Sequence, residues 1–417
     1  MRDTLRALLL VLPVFLASNA WAWNDKITHR VLSEKAAEYS ILAPAKGDYL
    51  RKIGLGNNLQ ENLVLGSEAW NVQEWIGLGS VEEDAGNVFT AHYYNHFHNP
   101  LRAWPLAGLN TIYPFINGQS SLLWAQDSSN PWSWRKTREH FYSALVSSTD
   151  AGRSESFART FKGVGHIIHL IQDAAQPAHV RNDPHPLDDM GVVPQFENWA
   201  RSPAHASTVA SLMATPAFPS VYLGASADPG YVPITQLWDA DQYNGANPPG
   251  GTGTGISEYT QVNFFSEDTI GWGGFPYPVI SGATPVVTRG FSNPLSGTTY
   301  PREYYLKDCC GETNGGQGYL LAAVDYLDFY RLKYPLFGGL LPKIPVLDNN
   351  VYGDYARFLI PRAVGYSAAL IDYFFRIEME ISEIAPKKDA DGNITEVTLR
   401  VKNGTQTGEA LSGGRFR

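Results

Sequence analysis

The stretch Phe157–Ala175 constrains this chain more than any other segment. Its apolar residues recur at helical spacing, and Gln176-Pro177 stops the helix, because proline disfavours helix at its own position and at the one before it. Near its end the helix carries His169 and Asp173, four residues apart and so one turn apart on a single face. The break at Pro177 lets His179 turn back toward the same pocket. Imidazole and carboxylate in this arrangement suit zinc, which takes nitrogen and oxygen ligands. A lone His-x3-Asp pair is also what an ordinary polar helix face carries. His179 and the histidines around it turn the balance toward a metal: all ten histidines lie between His29 and His205, and the chain beyond has none.

The rest of the chain reads as a mainly all-α, multi-helix domain over residues 23–376. Helical spacing covers Ile27–Tyr39, Arg135–Ser147, Tyr319–Tyr334 and Tyr355–Arg376, the last kinked or started near Pro361. Asp372 interrupts the apolar run Ala363–Phe375, which favours a buried core helix over a membrane span. Between Ala206 and Thr299, Gly, Pro, Asn and Ser dominate, which predicts a loop-rich insertion at about 206–299. Residues 377–417 are expected to form a small β appendage or an incomplete domain. There Ile377, Met379 and Ile381 alternate with polar residues, as do Val397, Leu399 and Val401, on either side of the turn Asp389–Asn393. That turn lacks the full ligand series of a calcium loop, so a plain hairpin turn is expected. A net charge of −9 gives no electrostatic footprint for duplex nucleic acid. Cys309 and Cys310, the two cysteines, are adjacent and can build neither a zinc finger nor a disulfide framework.

The N-terminus reads as a signal peptide over residues 1–22: basic Arg2 and Arg6, an apolar Ala7–Ala17 too short to span a bilayer, and small residues at Ala20 and Ala22. The protein is therefore expected to be secreted or periplasmic. Cleavage after Ala22 leaves Trp23 first; a rival cut after Ala20 leaves Trp21 first, and an uncleaved anchor is the remaining alternative. In an oxidising compartment Cys309-Cys310 forms a vicinal disulfide or stays free.

Four segments, in order, resemble the zinc-dependent phospholipase C and single-strand-specific nuclease superfamily. They are Trp23 with His29; Glu83-Asp84 followed by Asn95-His96-Phe97-His98-Asn99-Pro100; His169-x3-Asp173-x5-His179; and Phe196-Glu197-Asn198-Trp199. They span less than half the chain. The resemblance implies three zinc ions. Asp84, His96, His169 and Asp173 would hold one. The amine and carbonyl of Trp23, with His29 and a shared Asp173, would hold the second, and His179 and Glu197 the third. The family's further histidine, four residues before its glutamate, is Val193 here. His185, separated from Glu197 by a longer loop at Pro186–Pro194, is the substitute expected to complete that site.

The activity so implied is phosphodiester hydrolysis by a zinc-bound hydroxide, with Asp84 and Asp173 in catalytic roles and a phospholipid or other phosphodiester as substrate. It leaves room for peripheral contact with a membrane surface. His96-Phe97-x-x-Pro100 leans toward the phospholipase branch. A nuclease of unpaired DNA or RNA, with Phe97 as a stacking platform, is the second reading, and a non-catalytic exported zinc-binding protein the third. His166 is expected either to orient a ligand or simply to pack. His92 and His98 would line the pocket if residues 92–98 alternate as a strand, while His140 and His205 have no special role.

Overall fold

The computed structural model describes residues 28–85, 93–110, 117–184, 196–220, 234–251, 254–271, 273–292, 297–307, 318–325, 327 and 342–404. The expected signal peptide, Trp23, His92, His185 with the loop behind it, and Cys309-Cys310 lie outside them. Among the described residues no helix is long and apolar enough to cross a membrane.

The body is built around α4 (Asp150–Asp173), whose second half is buried on every side from Thr160 to Asp173. Thr149 starts it by accepting a side-chain hydrogen bond from the Gly152 amide. The helices α1 (Arg30–Tyr39), α2 (Val72–Glu82) and α3 (Trp134–Val146) gather round it. A two-stranded hairpin, β1 (Asn62–Leu65) with β2 (Glu68–Asn71), leads into α2, where Asn71 and Glu74 form a reciprocal capping box. Past α4 come the single turn α5 (Pro177–Val180), then α6 (Phe196–Arg201), α7 (Ala206–Met213) and α8 (Ile256–Asn263). A four-stranded antiparallel sheet follows, ordered β3 (Val286–Ser292), β4 (Thr299–Lys307), β5 (Tyr319–Val324), β6 (Pro345–Val346). The long α9 (Asn349–Phe374) then packs across α1, α4, α7 and β5. Finally β7 (Met379–Lys388) pairs antiparallel with β8 (Ile394–Asn403) through the expected Asp389–Asn393 turn.

The described residues are therefore mixed α/β and not mainly all-α: about 46% of them are helical and 17% strand, with three antiparallel sheets among them. The error has a physical source at Tyr319-Leu-Leu-Ala-Ala-Val324. In sequence that run reads as the start of a helix, but it forms a strand buried at all six positions, and a strand covered on both faces shows no alternation. Residues 326 and 328–334 of the expected helix lie outside the described ones. The stretch at 206–299 is not loop throughout either, since it contains α7, α8 and β3. In the neighbouring strand, Arg302 hides the core face of β4, because its buried guanidinium donates to Asp348 Oδ2 at 2.9 Å and to the Val324 carbonyl at 2.6 Å. Pro361 lies inside α9, which begins earlier, where the Asp348 carboxylate caps the Asn350 and Val351 amides.

Asp372, on the last turns of α9, accepts a hydrogen bond from the Ile41 amide at 2.5 Å. Burial pushes its carboxyl up to about 6, against the opposing pull of that amide and of Lys46. An unfolded aspartate titrates near 3.9, so between roughly pH 4 and 6 the folded state holds the extra proton. Stability is therefore lost as pH rises through that window. Asp372→Asn keeps the acceptor and removes the charge. It should stabilise the protein by about 1–3 kcal/mol at pH 7.5 and by nothing below pH 4, as read from thermal unfolding at both values.

Candidate metal centre

Six pieces of chain, α4 included, meet at the C-terminal end of that helix. The helix itself presents His169 and Asp173 one turn apart, both fully buried. The end of α2 delivers Ser80, Glu83 and Asp84, and a tight turn at Tyr93–His96 delivers His96. His29 sits at the N-terminal end of α1, and its ring stacks on that of His169 at 3.9 Å. His179 comes from α5, directly after the proline break, and Glu197 from α6.

Asp173 is the hub. Its Oδ2 lies 3.0 Å from His96 Nδ1 and 3.1 Å from His169 Nε2, while Oδ1 lies 3.4 Å from His29 Nε2. Asp84 Oδ1 stands 3.2 Å from His96 Nδ1 and 3.5 Å from His169 Nε2. None of the four carboxylate oxygens of Asp84 and Asp173 engages in a hydrogen bond, although all are buried. Buried carboxylates without donors are costly and rare.

The imidazole tautomers explain the pattern. His169 Nδ1 donates to the Ser80 carbonyl at 2.6 Å. His29 Nδ1 donates to Gln172 Oε1 at 2.7 Å, because the Gln172 amide nitrogen is turned to Ser33 Oγ. Each Nε2 then aims a lone pair at carboxylate oxygens. Lone pairs facing lone pairs at 3.1–3.5 Å call for a cation between them. Two ligands of a tetrahedral zinc, each about 2.0–2.1 Å from it, stand roughly 3.3 Å apart. The donors form two groups that could hold a metal ion, His29–His169–Asp173 and Asp84–His96–His169. His169 belongs to both, whereas the resemblance places it in the group of Asp84 and His96 alone. Trp23, expected beside His29, lies outside the described residues.

The electrostatics agree. Burial alone would lower both histidines, but Asp173 and Asp84 raise His169 to about 10 and His96 well above its ordinary value. Burial would raise Asp173, yet His169, His179 and His96 hold its carboxyl well below the usual carboxylate range. Without a cation the cluster gathers protons, and a divalent ion answers the same negative field.

The expected third group is only partly visible. His179 Nε2 is 3.6 Å from Glu197 Oε1, and the Gln176 amide fixes that oxygen at 2.6 Å. His185 lies outside the described residues.

Of the supporting shell, sequence reasoning anticipated only His166. Glu83 accepts from His166 Nδ1 at 2.6 Å and from Trp124 Nε1 at 2.9 Å, with its Oε1 3.7 Å from His96 Nε2. Burial would raise Glu83, but His166 and His96 hold it below the carboxylate range. An acidic pair closing an apolar helix was the available signal. His166 thus orients the site through Glu83 and stacks on Trp132 at 4.8 Å. The turn at Tyr93–His96 breaks the expected strand-like alternation. His98 faces away, bridging Ser120 Oγ at 2.7 Å and Asp239 Oδ2 at 3.1 Å. Ser120 is 1% exposed, so this Ser-His-Asp chain is a buried brace. His205 stacks on Trp199.

No protein-family model, curated protein or solved structure matches this chain.

Proposed function

We propose that the chain is an exported, zinc-dependent phosphodiester hydrolase of the phospholipase C type. The observation that carries the proposal is the split carboxylate of Asp173, with each buried oxygen directed at a different imidazole and neither hydrogen-bonded. Binding alone would not require one carboxylate to serve two donor groups; hydrolysis at paired metals does. Three zincs are proposed, with Asp84, His96, His169 and Asp173 around the first, His29, Trp23 and Asp173 around the second, and His179, Glu197 and His185 around the third. Zinc there supplies Lewis acidity, which polarises a phosphoryl oxygen and lowers the pKa of water to near neutrality.

The chain's own residues do the rest. The Ser80 carbonyl and the Gln172 amide fix His169 and His29 in the ligating tautomer. Gln176 orients Glu197. Asp84, whose carboxyl is held low by His169 and His96 against the effect of burial, is a carboxylate able to take the proton released by attacking water.

Phe97 favours the lipid reading over the nuclease one. It is 5% exposed and lies parallel to the His179 ring at 4.6 Å, so it is not an open platform for an unpaired base.

Purified protein should carry about three zincs per chain. Offered phospholipid vesicles, single-stranded DNA and single-stranded RNA side by side, it should release diacylglycerol and no nucleotides. Nucleotide release alone would move it to the nuclease branch. Zinc content near zero, with turnover indifferent to chelator, would end the proposal.

A further inference from the structure

The C-terminal hairpin has two unlike faces. Residues paired across an antiparallel ladder share a face. The pairs Ile381–Val401, Ile384–Leu399 and Pro386–Val397 therefore lie on one side, together with Met379, and the bulge after Ile381 keeps Ile384 in line. The other side carries Glu380–Lys402, Glu383–Arg400 and Lys387–Glu396, each an ion pair at 3.4–3.5 Å. The apolar side is open: Met379 is 57% exposed, Ile381 52%, Ile384 66% and Leu399 39%. The two strands pack chiefly on each other, and a two-stranded ribbon by itself is marginal in water. A continuous aliphatic face of this size calls for a cover.

We infer that the cover is a second copy of this chain, its hairpin packed face to face about a two-fold axis. The area fits: two such faces bury on the order of 1,200 Å² in total, at the lower edge of specific interfaces. Lys388, paired with Ile394 at the tip, is the one charge on the apolar side; the rest of that face is aliphatic with its charge on the far side, and it is self-complementary, as an isologous contact requires. Lipid is the poorer occupant. The face has no Trp, Tyr or Phe, and the opposite side alternates acid with base where a lipid-binding element would be basic. Residues 405–417 offer only Ala410, Leu411 and Phe416 as apolar side chains, too few to cover seven.

Sedimentation equilibrium of the full chain at micromolar concentration should show a dimer. The double substitution Ile384→Glu with Leu399→Glu should weaken association at least about a hundredfold, because it buries charge in the interface. Ile384 sits mid-face, where a two-fold axis brings a residue near its own copy. Ile384→Cys should therefore give a disulfide-linked dimer on mild oxidation. Glu383→Cys, on the charged face and with the same native cysteines, should not. A monomer at all concentrations, a dimer that survives the double substitution, or equal cross-linking of both cysteine variants would overturn the inference. So would a monomer that binds phosphatidylcholine vesicles through Ile384 and Leu399.

Discussion

Asp173→Asn is expected to cost the protein most of its zinc and at least about a thousandfold in phosphodiester turnover, corresponding to roughly 4 kcal/mol of lost catalysis. The reason is local. Asp173 Oδ1 faces His29 and Oδ2 faces His96 and His169, so a single side chain reaches imidazoles of both donor groups. Asparagine keeps the size and one oxygen, but it removes the charge and puts an amide N–H where a ligand oxygen stood. It also turns a donor toward an imidazole Nε2, offering a hydrogen bond in place of a metal. The fold should survive, since that trade leaves no new cavity. Zinc per chain and thermal unfolding, measured on the same preparation, separate the outcomes. Loss of zinc with a cooperative melt supports the shared carboxylate. Near-normal zinc content and turnover in the variant would show that Asp173 does not serve two metals.

The sequence exposed this site better than the fold around it, and for a physical reason. Helical spacing fixes where His169 and Asp173 point whatever the tertiary structure, and Pro177 fixes where the helix ends; both hold in the structure. The paired strands after Arg376 were legible because apolar and polar residues alternate along both of them. The central sheet was not. β5 is covered on both faces and reads as a plain apolar run, and β4 carries Arg302 and Tyr304 into the core, where Asp348 compensates them. The supporting shell was illegible for another reason: Ser80 acts through its backbone carbonyl, and Gln172 and Glu83 matter only through partners distant in sequence. Composition along 206–299 suggested loop, but α8 is held there by Glu258, whose carboxylate gathers the amides of Ala240, Gln242, Tyr243 and Gly255, a long-range arrangement that local pattern does not encode.

The contact that brings α2 to α4 yields the second large effect. Gly79 and Gly165 face one another where the two helices cross. A Cβ on Gly165 would overlap the Ile76 carbonyl oxygen and stand 2.9 Å from the Gly79 Cα, and one on Gly79 would overlap the Lys162 carbonyl. These neighbours are backbone and cannot swing aside. In an exposed helix, glycine to alanine gains about 1 kcal/mol of propensity. At Gly165 overpacking should outweigh that gain and destabilise the protein by about 2–3 kcal/mol net. Gly353, in α9, is the control, because its added Cβ would make only an ordinary 3.6 Å contact with Trp199. Gly353→Ala should be neutral or stabilising by up to about 1 kcal/mol. The consequence reaches the metal centre, since α2 carries Ser80 and leads directly into Asp84, while α4 carries His169 and Asp173. Helices pushed apart by even about 1 Å misalign the two halves of the ligand set, so Gly165→Ala should also weaken zinc retention and lower turnover by roughly a hundredfold. Denaturant unfolding and zinc competition with a chelator measure the two effects. A Gly165→Ala protein as stable as Gly353→Ala, with its zinc intact, would mean that the close crossing of α2 and α4 does not set the geometry of the site.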